Sequence, residues 1–199
     1  MFYWFAWCIC RAILLLVRRW RVEGAENLPR EEGVVIVANH ISYWDPVVVG
    51  CAFKRRVFFL AKEELFRIPL LATLITKLGA FPVRRGSTDR RALRLATEKL
   101  LAGNPVVVFP EGTRSHTGEL LQPHLGAALL AIKGGVPILP VALYGTRGVI
   151  GKVRVRVGKP VYFRELYGTK PSKASLEAVS SHVMHRIAEL LSEVKSKWK

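Results

Sequence analysis

Val34-Val35-Ile36-Val37-Ala38-Asn39-His40-Ile41-Ser42-Tyr43-Trp44-Asp45-Pro46 is the stretch from which the rest of the chain is read. The β-branched run after Gly33 predicts a short buried strand. It opens into a polar turn carrying His40 and, five positions on, Asp45 followed by Pro46. Asp-Pro ahead of the apolar residues 47–53 predicts a helix with Asp45 as N-cap and Pro46 at its first position. A carboxylate there is held ionised by backbone amides and the positive end of the helix dipole, and it can fix the tautomer of a nearby imidazole. Asn39 and Ser42 are candidates to brace the turn. The pattern predicts an acid-oriented base at the C-terminal end of a strand, where α/β folds bind ligands. The plain alternative is a solvated loop pair, and Ser42 is the nearby hydroxyl that a hydrolase triad would need.

Working outward, 199 residues suit one domain with a substantial core. Half the residues are hydrophobic and the mean hydropathy is +0.22, high for a chain this charged. Lys and Arg number 31 against 15 Asp and Glu, a net charge of +16 that favours a polyanionic partner: nucleic acid, an anionic membrane or phosphorylated substrates. Cys8, Cys10 and Cys51 make no disulfide framework, and no Cys/His spacing resembles a zinc site. A reduced, cytosol-facing environment is the modest inference.

Residues 2–17 are apolar except for Arg11 and rich in aromatics, with Arg18, Arg19 and Arg21 directly after. As a helix the run would be about 24 Å long, short of the roughly 30 Å hydrocarbon core. Residues 1–21 are therefore expected to anchor the chain in one leaflet, aromatics near the headgroups and arginines on anionic lipid, with residues 22–199 as the catalytic domain. A single-pass span leaving that domain cytoplasmic, and an ordinary core helix, are the alternatives.

Farther along, residues 22–30 read as a linker and 57–61 as a strand. Residues 62–78 read as a helix interrupted near Pro69, whose broad apolar face predicts buried packing, with acyl-chain or membrane contact as the sharper alternative. A short strand then ends in Arg84 and Arg85, one of which is a candidate phosphate ligand. Ser87, Thr88 or Asp89 is placed to cap the helix 89–102. The strand 106–109 delivers Pro110-Glu111-Gly112-Thr113-Arg114-Ser115, in which Gly112 permits close backbone approach and the hydroxyls and guanidinium are donors. Glu111 is expected to contact substrate hydroxyls or hold an arginine. A small-residue helix covers 123–133, and a strand over 136–143 carries Pro137 and Pro140, which suggest an edge or otherwise unusual position. Alternation over 153–157 predicts a half-exposed strand with one basic face, and residues 172–199 an amphipathic helix with His182 and His185 near solvent.

Four separated stretches, Asn39-His40 with Asp45, residues 79–85, residues 109–115 and residues 136–141, together resemble the blocks of the glycerolipid acyltransferase family, closest to bacterial 1-acylglycerol-3-phosphate acyltransferases. The resemblance implies an α/β domain with a mixed, mostly parallel sheet flanked by helices, preceded by the membrane-associated helix. It puts the base on His40 and its orienting carboxylate on Asp45, the His-x4-Asp motif. It puts phosphate and glycerol binding on Arg85, Glu111, Gly112, Thr113 and Arg114, and acyl-donor binding and packing around Pro137 and Pro140. It implies acyl transfer from acyl-CoA or acyl carrier protein to the sn-2 hydroxyl of lysophosphatidic acid at the cytoplasmic face of the cell membrane. No metal, no cofactor beyond the thioester co-substrate and no nucleic acid are implied. Two positions depart from the family pattern: His124 and Leu125 stand where a lysine is common, and Arg84 where an acidic residue is common. A related O-acyltransferase with another acceptor is the near alternative. A basic nucleic-acid binder is the distant one, though no RNP, KH or helix-turn-helix signature is present. A serine esterase would want a Gly-x-Ser-x-Gly elbow, which the chain lacks.

Overall fold

A computed structural model describes residues 1–84 and 89–197. In chain order the elements are α1 (Phe2–Leu16), β1 (Arg21–Glu23), β2 (Val34–Ala38), α2 (Asp45–Ala52), β3 (Phe58–Lys62), α3 (Pro69–Lys77), β4 (Ala80–Val83), α4 (Arg90–Leu101), β5 (Pro105–Val108), α5 (Gly126–Gly134), β6 (Ile138–Tyr144), β7 (Arg154–Val157) and α6 (Lys173–Lys197). The strands form one sheet in the order β1-β7-β6-β2-β5-β3-β4, and only the β6–β7 pair is antiparallel. This is the single α/β domain with a mostly parallel mixed sheet that the sequence predicts.

The unbroken apolar run of β2 follows from its place at the sheet's centre, with both faces covered. Val34, Ile36 and Ala38 pack with Val48, Val49 and Phe53 on the face carrying α2 and part of α1. Val35 and Val37 pack with Ala96 and Leu100 of α4, Leu130 of α5 and Val183 and Ile187 of α6 on the other. In α4 the buried residues Ala92, Ala96 and Leu100 recur at four-residue spacing, so one stripe meets the sheet and the arginines stay outside. Asp89 starts that helix by accepting from the amides of Arg91 and Ala92. His182 and His185 lie on the exposed side of α6.

Several expectations are corrected. The stretch 22–30 is not merely a linker: Arg21–Glu23 pairs in parallel with β7 and a 3-10 turn follows over Ala25–Asn27. Three residues are too few for a periodic pattern, so the strand is visible only through its partner. β6 is not at an edge but lies between β7 and β2. Pro137 precedes it, its carbonyl accepting from Val35. Pro140 is tolerated inside because the edge of the residue that bears its carbonyl, bonded by Gly158, faces the end of β7. The missing N–H falls where that ladder is running out. Nor is β7 half exposed, since Arg154 is buried with its guanidinium on the carbonyls of Arg19 and Val153.

The largest departure concerns α3. Its apolar face was expected to pack, yet none of its residues is buried and Leu70 is 88% exposed. Pro69 opens it after a 3-10 turn over Glu63–Arg67, and the short helix that results connects β3 to β4, the strand at the end of the sheet, with its apolar residues largely uncovered among the described residues.

The arginines after the first apolar run do not all face outward. Arg18 is fully buried, donating from Nη1 to Gly148 (2.6 Å) and from Nη2 to Gly145 (2.7 Å) and Arg147 (3.1 Å). Arg11 donates to the Cys51 carbonyl and lies over the rings of Trp7 and Trp20. Trp7 Nε1 donates to the Phe53 carbonyl. One side of α1 is thus stitched to α2, with Leu14 and Trp20 in the core. Its other side leaves Phe2, Phe5, Ile9 and Leu16 exposed. No helix among the described residues is long and apolar enough to cross a membrane.

Replacing Arg18 by Met should cost about 2–4 kcal/mol, because three carbonyls of one loop lose their charged donor. Urea unfolding of the variant against wild type measures it, and an unchanged midpoint would mean the loop 145–148 is held by other contacts.

Candidate active site

The site grows from the C-terminal end of β2, flanked there by β5 and β6. Asn39 continues the ladder with its side chain: Nδ2 donates to the Leu143 carbonyl (3.0 Å) and Oδ1 accepts from the Leu143 amide (2.8 Å). This two-bond clasp fixes where the chain leaves the sheet, and Ser42 Oγ accepts from the Trp44 amide to tighten the turn that follows (3.2 Å).

Asp45 closes that turn, in a manner the sequence did not predict. Trp44 occupies the N-cap position and Asp45 is the first residue of α2, with Pro46 next. The carboxylate instead turns back: Oδ2 accepts from the amides of Ile41 (2.6 Å) and Ser42 (2.7 Å) and lies 2.8 Å from His40 Nδ1. The Asp45 side chain is fully buried and the His40 side chain 12% exposed. An ionised carboxylate can only accept, so it makes Nδ1 the protonated nitrogen and leaves Nε2 with the lone pair. The imidazole also stacks on Phe109, centroids 4.3 Å apart and planes 23° from parallel. Held at one nitrogen and one face, the ring is directed as a base must be.

The 109–115 loop grips the same turn. Glu111 Oε1 accepts from the His40 amide (2.9 Å) and the Ser115 amide donates to the His40 carbonyl (2.7 Å), so both backbone groups of His40 are tied to that loop. Glu111 Oε2 accepts from the Leu121 amide (3.2 Å). Glu111 is 3% exposed and its carboxylate serves main-chain amides, where substrate hydroxyls or an arginine were expected. Burial pushes its pKa up, and the two amides and nearby His40 only partly oppose that. Gly112 has φ +65°, and a Cβ there would come within 2.7 Å of the His124 ring. His124 is held by its amide on the Pro110 carbonyl (2.8 Å), so it packs across the loop at the position where the family pattern has lysine.

Arg114 lies flat on Tyr43, its guanidinium carbon 3.5 Å from the ring centroid and Nη2 donating to the phenol oxygen (2.9 Å). Because Tyr43 belongs to the 40–45 turn, the guanidinium stands at the same end of the sheet as the imidazole. Thr113 is exposed beside it. The candidate phosphate ligand Arg85 lies outside the described residues, while Arg84 pairs with Glu63 (3.1 Å). Pro137 is buried just ahead of β6, level with the start of β2, and Pro140 is buried inside β6 opposite Val37. The residues that sequence reading missed are Phe109, Tyr43 and Arg147, whose Nη2 donates to the Ser115 carbonyl (2.8 Å). Phe109 alone had a signal, as the last apolar residue before a polar loop.

A carboxyl whose folded pKa is raised binds its proton more tightly in the native state. Its contribution to stability is therefore complete below the unfolded value, ordinarily 4.5, and is lost as pH rises through the folded one. The stability of wild type minus that of Glu111→Gln should accordingly shrink from acid to neutral pH, measured by urea midpoints. A gap that widens with pH contradicts the raised value.

Residues 19–144 match the family model described as Acyltransferase. A Bacillus subtilis 1-acyl-sn-glycerol-3-phosphate acyltransferase is 30% identical over 186 residues, covering 90% of this chain and 92% of that protein. A Pseudomonas aeruginosa lyso-ornithine lipid O-acyltransferase is 36% identical over 140 residues, 69% of this chain and 52% of that protein. The crystal structure of the 1-acyl-sn-glycerophosphate acyltransferase of Thermotoga maritima superposes with a TM-score of 0.77 at 33% identity, covering 95% of this chain and 77% of that one. With that match over the stretch that holds the His40–Asp45 turn and the 109–115 loop, the chain belongs to the acyltransferase family.

Proposed function

We propose that the protein transfers a fatty acyl group from acyl-CoA or acyl carrier protein to the sn-2 hydroxyl of 1-acylglycerol 3-phosphate, giving phosphatidic acid. The observation that carries this reading is the 2.8 Å contact between Asp45 Oδ2 and His40 Nδ1, which leaves Nε2 to take a proton. His40 Nε2 accepts the proton of the acceptor hydroxyl as that oxygen bonds to the thioester carbonyl carbon. The tetrahedral intermediate collapses with cleavage of the C–S bond, and the imidazolium returns its proton to the departing thiolate. Asp45 stabilises the imidazolium between these steps. Arg114 holds the acceptor phosphate through its planar fork, with Tyr43 beneath it, and Arg85 is assigned the same role from sequence alone.

Membrane attachment through residues 1–21 accompanies this reading, since the acceptor is a lipid. The exposed apolar residues of α1 and α3 support it, and Lys77 of α3 over the Phe2 ring (5.6 Å) brings the two helices together. We place the domain, residues 22–199, on the cytoplasmic face. The lyso-ornithine lipid relative supports a second acceptor class, a lysolipid without phosphate.

His40→Ala should lower turnover by about 10²–10⁴-fold while leaving the unfolding midpoint close to wild type, read as free thiol release against lysophosphatidate. A fully active variant ends the proposal. Arg114→Lys should chiefly raise the KM for lysophosphatidate and leave that for lyso-ornithine lipid unmoved, because only the phosphate needs the fork. A wild type that acylates lyso-ornithine lipid and not lysophosphatidate decides for the second acceptor. Separately, Phe5→Asp with Leu70→Asp should weaken binding to anionic phospholipid vesicles about tenfold or more in co-sedimentation, and undiminished binding excludes these helices as the attachment surface.

A further inference from the structure

A groove of about 600 Å³ opens beside the His40 turn and has no role in the reading so far. It begins at Asn39 and Ile41, the two residues that bracket His40, and runs over the ends of β6 and β7 to the last turns of α6. Arg147, Lys152, Arg154 and Lys195 line it, and no carboxylate does among its described lining residues. Arg154 is directed to backbone carbonyls, so the outward charge comes from Arg147, Lys152 and Lys195, which are all exposed. These three come from the loop after β6, the approach to β7 and α6, elements that only the fold brings together. The groove is also built on firm ground. Buried Arg18 pins the carbonyls of Gly145, Arg147 and Gly148 from behind, and Arg147 is itself tied to Ser115, whose amide holds the His40 carbonyl.

Cations gathered on a braced loop and the end of α6, with no carboxylate among the described lining residues, ask for a polyanionic ligand. The volume lies within the range of sites for extended small molecules and exceeds what a glycerol phosphate headgroup fills. Arg114, on the Tyr43 side of the turn, already accounts for one phosphate. Resting on the proposed acyl transfer, we infer that this groove seats the phosphate-bearing end of the thioester donor, with the acyl–sulfur bond reaching His40 past Asn39 and Ile41. Lys152 and Lys195 are its specificity-determining cations, and coenzyme A and the phosphopantetheine arm of a carrier protein share the chemistry they recognise.

The test is the double variant Lys152→Glu/Lys195→Glu, assayed with acyl-CoA, with acyl carrier protein and with the acyl thioester of N-acetylcysteamine, which carries no phosphate. The ratio of kcat/KM for acyl-CoA to that for the N-acetylcysteamine thioester should fall about tenfold. An equal fall with acyl carrier protein places the shared pantetheine phosphate in the groove, and a fall with acyl-CoA alone places the nucleotide phosphates there. The inference is overturned if the ratio is unmoved, if the loss appears in the KM for the acceptor, or if only the carrier protein is affected, since the lysines would then meet an acidic protein surface. Calorimetric binding of coenzyme A needs no acceptor and no turnover. Wild type should bind it about tenfold more tightly than the variant. Undetectable or equal binding overturns the groove assignment. Binding as expected, with no transfer to any acceptor, would instead fault the proposed reaction.

Discussion

One oxygen atom organises this protein. Asp45 Oδ2 gathers the amides of Ile41 and Ser42 and the Nδ1 of His40 within 2.8 Å, and it does so in full burial. Charge-assisted bonds of that length are strong where water is excluded, and three on one acceptor leave the turn little freedom to open. The direction of the imidazole, the start of α2 and the approach of Tyr43 to Arg114 all follow from the shape of this turn. β2 is the mount that makes such a turn stable. A strand paired on both sides and covered on both faces cannot shift without disturbing the whole sheet, and Asn39 carries its pairing one residue farther.

Around that centre, backbone groups are satisfied by side chains from distant elements. Glu111 and Ser115 hold the two backbone groups of His40, and Arg18 reaches from the end of α1 to three carbonyls of the loop after β6. Each bond crosses from one loop to another at the same end of the sheet, so the loops behave as one body. The net charge of +16 is therefore not one continuous surface. Arg18 and Arg154 are internal, and Arg156 is paired with Glu23 and Glu193. Among the outward cations, Arg90, Arg91 and Arg94 lie along α4, Arg114 beside the turn, and Arg147, Lys152 and Lys195 at the groove.

The first helix shows how one segment can be both core and surface. Trp7, Arg11 and Leu14 face the domain, and Phe5, Ile9 and Leu16 face away. Mean hydropathy cannot separate those two faces, since both are apolar. α3 repeats the lesson with the opposite outcome. A broad apolar face ordinarily means a buried helix, yet no residue of this one, at the β4 end of the sheet, is buried.

Sequence alone determined the strand–turn–helix around His40, the α/β class, and the order of the stretches that meet at the site. The strand–turn–helix rests on local pattern, a β-branched run and a proline at a forced backbone angle, while the class and the meeting of the stretches are what the family resemblance implies. Only the tertiary structure decided what long-range pairing controls. β1 exists because β7 lies beside it, and Pro140 is central because its missing amide meets the end of a strand. Asp45 turns from the helix to the loop because, one residue inside α2, it meets the amides of Ile41 and Ser42 and the ring nitrogen of His40. In the sequence Glu111 reads as a contact for substrate or an arginine and Arg18 as a contact for lipid, yet both are internal because backbone groups brought from far along the chain are there to receive them. A sequence states which groups can bond, and the fold states which of them are within three ångströms.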